Sequence, residues 1–197
     1  MNEKAITGDY WNNLYEKHET GWDIGYPSPA IKTYIDQLTD KSIPILIPGC
    51  GNAYEAAYLL SLGFTSITVI DIAPLLTAAL EKKFRNESGK QLTIITGDFF
   101  RHTGNYKLIL EQTFLSALNP VLRTQYANHM HSLLPKGGHL AGVIFNKLFD
   151  DGPPFGGTIE EYRKLLEEKF IIKTLEPCYN SIERRKDAEA FINLIAK

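Results

Sequence analysis

The segment Ile47-Pro48-Gly49-Cys50-Gly51-Asn52 has the composition of a tight turn that leaves backbone bare. An apolar, strand-like run leads into it and a helical stretch leaves it, so a ligand is expected to approach main-chain amides near a helix N-terminus. Twenty residues beyond Gly51 stands Asp71, closing the run Ser66-Ile67-Thr68-Val69-Ile70, with Ile72 beside it. A carboxylate at that distance can accept both hydroxyls of a ribose. Turn and acid together point to a nucleoside-containing cofactor. Each also has a plainer explanation: Gly49 and Gly51 as turn punctuation, and Asp71 as the N-cap of the helix opened by Ala73-Pro74.

A dinucleotide fits less well. The pyrophosphate fingerprint requires glycine or alanine at its third glycine position, and Tyr54 stands there. S-adenosylmethionine carries a nucleoside and a sulfonium but no diphosphate, and it needs the turn, the ribose acid and a polar group near the adenine. Asp98, directly after a strand in Gly97-Asp98-Phe99-Phe100, is placed for the last of these, although it reads equally as a turn aspartate. Trp11 and Trp22 lie in an otherwise polar segment, and an indole face is a good partner for a sulfonium cation. No metal is expected: His129 and His131 are two apart on a helix and face different ways, and neither HExxH nor paired CxxC occurs. Ser116 and Ser132 lack a nucleophile-elbow pattern.

These residues need a scaffold, and its rhythm is strand, loop, helix. Strands are expected at 43–47, 66–70, 92–96, 107–111 and 139–145, separated by helical stretches from about Ala53 to Leu62, Ala73 to Phe84 and Val121 to Leu134. Short continuous apolar runs alternating with helices indicate parallel strands covered on both faces. An amphipathic helix over 158–170 and strands at 170–176 and 189–196 close the chain as an antiparallel edge. The expected fold is α/β, one domain: an N-terminal cap (1–40), a cofactor-binding core (41–145), a lid loop (146–157) and a substrate-side helix and hairpin (158–197). In the cap, Ser28 is expected to N-cap a helix with Pro29 at its first position.

Composition bounds the partners. The 197 residues suffice for one sizeable core, burying roughly 70% of the unfolded surface. Lys+Arg 21 against Asp+Glu 23 gives a net charge of −2, which offers no global field for a phosphate backbone. Cys50 and Cys178 form no disulfide framework, and the N-terminal stretch has no apolar signal region, so a reduced, cytoplasmic setting is expected. No apolar run is long enough to span a bilayer. The expected partner is a small-molecule acceptor, with neither nucleic acid nor membrane, on a monomer or weak homodimer.

IPGCGNAYE with VIDIAP and GDFF, then LILEQTFLSALNP, MHSLLPKGGHL and GPPF, resemble the thiopurine S-methyltransferase-like family, which includes plant thiol and halide methyltransferases. WNNLYEKHETGWDIGYPSPAI and SIERRKDAE are also similar to its pattern, so the resemblance covers nearly the whole chain in order. It implies a class I S-adenosylmethionine-dependent methyltransferase with a seven-stranded sheet. By this resemblance Trp11, Tyr15 and Trp22 form an aromatic cap over the cofactor, with Tyr15 replacing a Trp of the thiol/halide branch. Gly49 falls on the glycine turn, Asp71 on the ribose acid, and Asp98-Phe99 on the adenine contact. Glu111 takes the place usually held by Asp at the end of the fourth strand, as a cofactor-positioning residue. Gln112 stands where thiopurine enzymes have Arg and thiol/halide enzymes Tyr. Arg185 matches a substrate-side Arg, and Pro154-Phe155 a pocket-lining loop.

On this reading Phe114, Phe155 and the cap aromatics build the acceptor pocket, with Gln112 and Arg185 steering a soft nucleophile that needs no base. Rival readings are a nucleotide-dependent oxidoreductase, a non-catalytic cofactor-binding module, and a methyltransferase acting on macromolecules.

Overall fold

A computed structural model of the chain describes residues 6–197; the first five residues of the expected cap, and the part of the leader reading that rests on them, lie outside the described residues. Along the chain run α1 (Gly8–Glu16), α2 (Pro29–Ile35), β1 (Ile45–Pro48), α3 (Tyr54–Ser61), β2 (Ile67–Asp71), α4 (Pro74–Lys83) and β3 (Leu92–Thr96). Then come β4 (Leu108–Gln112), α5 (Arg123–Ser132), β5 (His139–Phe145), α6 (Ile159–Leu166), β6 (Phe170–Pro177) and β7 (Glu189–Ala196).

The strands form one seven-stranded sheet in the order β3-β2-β1-β4-β5-β7-β6. Strands β1 to β5 pair in parallel, while β7 runs antiparallel to both β5 and β6. The central strands read as unbroken apolar runs because alternate residues serve two cores. Ile45 and Ile47 of β1, Leu108 and Leu110 of β4, and Ala141 and Val143 of β5 pack on one face beneath α2, α3 and α4. Leu46, Ile109, Leu140 and Ile144 pack on the other beneath α5 and α6. A strand buried on both faces has no solvent side to place polar residues on.

From β1 the chain winds outward through β2 and β3, then returns to lay β4 on the opposite side of β1. The loops leaving β1 and β4 therefore diverge and open a crevice at the carboxyl edge of the sheet, where ligands bind in open α/β sheets.

Several boundaries differ from expectation for local reasons. The helix expected from Val121 opens as a 3-10 turn, Pro120–Leu122, which Asn119 caps through Val121 N–H. The helix expected to reach residue 170 ends at Leu166. Ser28 stands at the N-cap of α2, but its side chain makes no capping bond. Instead its buried N–H donates to Glu55 Oε1 at 2.9 Å, tying the cap to α3. His129 and His131 do face apart, against Phe99 and Phe170 respectively.

Candidate active site

β1 ends in a turn with left-handed residues at Gly49 (φ 57°), Gly51 (φ 51°) and Ala53 (φ 52°). At Gly49 the need for glycine is also steric, since a Cβ there would lie 2.3 Å from the Phe114 ring. Three of the turn's amides point back at β2 and a fourth closes the turn on itself. Gly49 and Cys50 N–H donate to Ile70 O at 2.8 and 3.4 Å, and Ala53 N–H to Cys50 O at 2.9 Å. Gly51 N–H donates to Asp71 Oδ2 at 3.3 Å. These four donors are engaged inside the protein, and none of them is left for a diphosphate. Tyr54, at the third glycine position, turns its hydroxyl onto Asp23 Oδ2 at 3.2 Å.

Asp71 also accepts from Ala73 N–H at 3.0 Å through Oδ1, so it braces both the glycine turn and the approach to α4. Burial pushes its carboxyl above the ordinary range, against the pull of the Ala73 and Gly51 amides. It does not cap α4. Asn12 of α1 does, accepting from Leu75 N–H at 3.1 Å, and that bond ties the cap helix to the start of α4.

Between these loops lies a cavity of about 1240 Å³. Trp11, Tyr15, Trp22, Gly49, Gly51, Asp71, Ile72, Asp98 and Phe99 line it, as do Gln112, Phe114 and Arg185. The cap rings meet edge to face, Trp22 lying 5.3 Å from Trp11 and 5.7 Å from Tyr15 between centroids. Burial and the Asp71 charge hold the Tyr15 phenol well above its usual range, so it stays protonated. Asp98 caps the 3-10 turn Phe99–Arg101 through Phe100 N–H and lines the cavity as well. The residues present fit S-adenosylmethionine: a glycine turn, an acid for the ribose, an acid at the β3 end and an aromatic wall.

Two expected site residues stand elsewhere. Phe155 is not among the lining residues. Its N–H donates to Ser116 O at 2.6 Å, and its ring packs over Gly152, which keeps it inside the loop's own turn. Phe149, stacked edge-on 5.2 Å from Phe145, supplies the aromatic wall, with Pro153 and Pro154 beside it.

Glu111 is likewise absent from the lining and fully buried. Its Oε1 accepts from Phe114 and Leu115 N–H, and its Oε2 from the Tyr126 hydroxyl. It shapes the turn in which Thr113 takes φ 56° and Phe114 is laid against Gly49. Glu111 thus acts on the site through Phe114.

Burial pushes the Glu111 carboxyl up to about 7, outweighing the three donors that pull it down. Unfolded, a glutamate titrates near its ordinary value of about 4.3, so over that window the folded state holds the extra proton. Its contribution to stability is full below the lower value and falls as pH rises through about 7, by about 1.4 kcal/mol per pH unit of the window. In thermal melts between about pH 5 and pH 7.5, Glu111→Gln is expected to flatten this decline; parallel slopes for both proteins would refute the assignment.

The sequence reading passed over Asp23, whose carboxylate accepts from Asn52 and Tyr54 just past the glycine turn, and over Asn12. Both are polar residues of the cap, and their only signal was proximity to Trp22 and Trp11. Among the described residues no helix is long and apolar enough to cross a membrane, and no three His, Cys, Asp or Glu gather to hold a metal ion.

The family model for thiopurine S-methyltransferase matches residues 6–194. Probable thiol methyltransferase 2 of Arabidopsis thaliana is 30% identical over 172 residues, covering 84% of this chain and 74% of that one. Thiocyanate methyltransferase 1 of Brassica oleracea is 27% identical, covering 91% and 81%. Among solved structures, magnesium protoporphyrin IX methyltransferase from Synechocystis with bound S-adenosylhomocysteine superposes with TM-score 0.76 at 15% identity, over 99% of this chain and 100% of that one, a likeness of fold. The match along almost the whole chain, on a sheet with this glycine turn and acid, places the chain in the thiopurine S-methyltransferase family, as an S-adenosylmethionine-dependent methyltransferase.

Proposed function

We propose that the chain transfers a methyl group by in-line displacement to a small soft nucleophile: a thiol, a halide or a thiopurine-like compound. The observation that carries this reading is the acceptor side of the cavity. Along the chain from Gln112 onward, none of the lining residues is a carboxylate or a histidine, and the ionisable ones are Lys147, Arg184 and Arg185. Phe114, Leu118, Leu122, Phe145, Phe149, Pro153 and Pro154 make the wall apolar, and Gln112 adds an uncharged polar group at the end of β4. A wall with no carboxylate or histidine to take a proton suits a nucleophile that arrives already deprotonated or carries no proton to lose.

S-adenosylmethionine, when bound, supplies an electrophilic methyl group on a sulfonium. The chain's own work is to hold and align. Asp71 takes the ribose, Asp98 the adenine edge, and the rings of Trp11, Tyr15 and Trp22 shelter the sulfonium end from water. Holding nucleophile and methyl in line supplies about 7–11 kcal/mol of the barrier through proximity alone.

Gln112 Oε1 is buried and has no partner among the described residues. An unpaired buried acceptor is costly, and a hydrogen-bond donor on the acceptor molecule relieves that cost. Replacing Gln112 by leucine is expected to lower kcat/KM about five- to tenfold for a thiol acceptor that also carries an N–H or O–H donor away from its sulfur, in line with one neutral hydrogen bond, and to leave S-adenosylhomocysteine affinity unchanged. Equal losses in both would move Gln112 to the cofactor. The proposal as a whole is tested by incubating the protein with S-adenosylmethionine and panels of thiols, halides, thiocyanate and thiopurines and following S-adenosylhomocysteine release. Turnover confined to amine or hydroxyl acceptors would overturn it.

A further inference from the structure

Arg185 faces the cavity, yet its charge is already committed. Nη1 lies 3.0 Å from Glu189 Oε1, and the two side chains are only 8% and 4% exposed. Nη2 donates to Trp22 O at 2.5 Å, and the guanidinium lies 5.2 Å over the Phe145 ring. The second Glu189 oxygen accepts from the Ser181 hydroxyl at 2.7 Å, so the carboxylate is satisfied without the cavity. An anion entering the acceptor side would meet a neutralised pair.

We propose that Arg185 is a positioning residue for the aromatic cap rather than a receptor for the acceptor's charge. It stands at the end of the 3-10 turn Glu183–Arg185, and Glu189 opens β7, so the pair is a post rooted in the sheet. Trp22 lies in the loop between α1 and α2, where no helical bond holds its carbonyl; Arg185 does. Arg184 holds the next carbonyl, its Nη2 donating to Asp23 O at 2.6 Å. The Asp23 side chain carries the connection on to Asn52 and Tyr54 beyond the glycine turn. Because Trp22 meets both Trp11 and Tyr15 edge to face, moving its backbone disturbs the whole wall. A buried ion pair costs desolvation on both sides, and removing one partner leaves the other uncompensated, so Glu189 and Arg185 act as a unit.

The inference rests on the cap rings facing the cofactor, and its two readings predict opposite results. S-adenosylhomocysteine affinity is measured by calorimetry for the wild type, R185A, E189Q, W22A and R185A/W22A. KM is measured at saturating S-adenosylmethionine for thiocyanate and for a neutral thiol. For a cap post, R185A weakens S-adenosylhomocysteine at least fivefold and E189Q moves it in the same direction. R185A/W22A then binds within twofold of W22A, and the two KM values shift by a common factor. Unchanged affinity in R185A together with a selective tenfold rise in the thiocyanate KM overturns the proposal. So does an E189Q protein that takes thiocyanate better than the wild type, as a freed receptor charge would. If R185A does not fold, E189Q and E189Q/W22A complete the same cycle with a side chain of unchanged size. A wild type that takes up no S-adenosylhomocysteine fails the cofactor reading itself, whereas a binding wild type with an additive cycle fails only the post.

Discussion

Replacing Asp71 by alanine is expected to weaken S-adenosylmethionine binding at least tenfold in a calorimetric titration. The carboxylate already braces the turn, accepting from Gly51 and Ala73 N–H, and it lines the cavity where a ribose would lie. Each hydrogen bond from a ribose hydroxyl to a charged acceptor is worth about 1.5–3 kcal/mol, so the loss of even one accounts for a factor of that size. The substitution also strips two amides of their acceptor, and the melting temperature should fall. Asp71→Asn separates the effects, because it keeps the side chain's size and a carbonyl for the turn while removing the charge. Near-unchanged affinity in a folded Asp71→Ala protein would sink the ribose assignment. NADH serves as the control ligand and is expected not to bind, since Tyr54 crowds the third glycine position and the Gly49, Cys50, Gly51 and Ala53 amides are engaged on Ile70, Asp71 and Cys50.

Gly49→Ala should be at least as damaging. The new Cβ would stand 2.3 Å from Phe114 Cδ2, closer than any real contact, at a φ of 57° that an L side chain adopts with strain. Phe114 has little room to yield. Its amide is held by Glu111, and its ring is packed edge-on against Phe99 at 5.1 Å. Either the glycine turn opens away from Asp71 or the ring is driven into the cavity, and both outcomes spoil cofactor binding. A loss of thirtyfold or more in S-adenosylhomocysteine affinity is expected, equivalent to about 2 kcal/mol. Because the cause is mainly steric, adding Phe114→Leu should restore part of the binding. A double variant no better than Gly49→Ala would place the damage in backbone strain instead.

Much of this molecule was legible without coordinates. Continuous apolar runs such as Ile45–Ile47 and Leu108–Leu110 announced strands covered on both faces, because a doubly buried strand has no position that tolerates water. Glycines and prolines punctuated the chain where backbone conformation demanded them, and the spacing from the glycine turn to Asp71 is set by the length of one helix and one strand. Those relations are local or span a single βαβ unit. They survive as patterns in one dimension, and so do the family motifs built on them.

What the linear chain did not disclose was which side chains meet across distant elements. Phe155 and Glu111 stood in motif positions, yet one packs its ring over Gly152 with its N–H on Ser116 O, and the carboxylate of the other accepts from the Tyr126 hydroxyl. Asp23 and Asn12 looked like ordinary loop and helix polar residues until folding set them beside Asn52 and the start of α4. Arg185 showed a charge, but only its pairing with Glu189 and Trp22 reveals that the charge is occupied. Secondary structure follows from periodicity and turn chemistry, which a sequence carries openly. The electrostatic state of a buried group depends on partners as near as four residues, as Glu189 is to Arg185, and as far as 163, as Trp22 is, and only the closed tertiary structure brings them together.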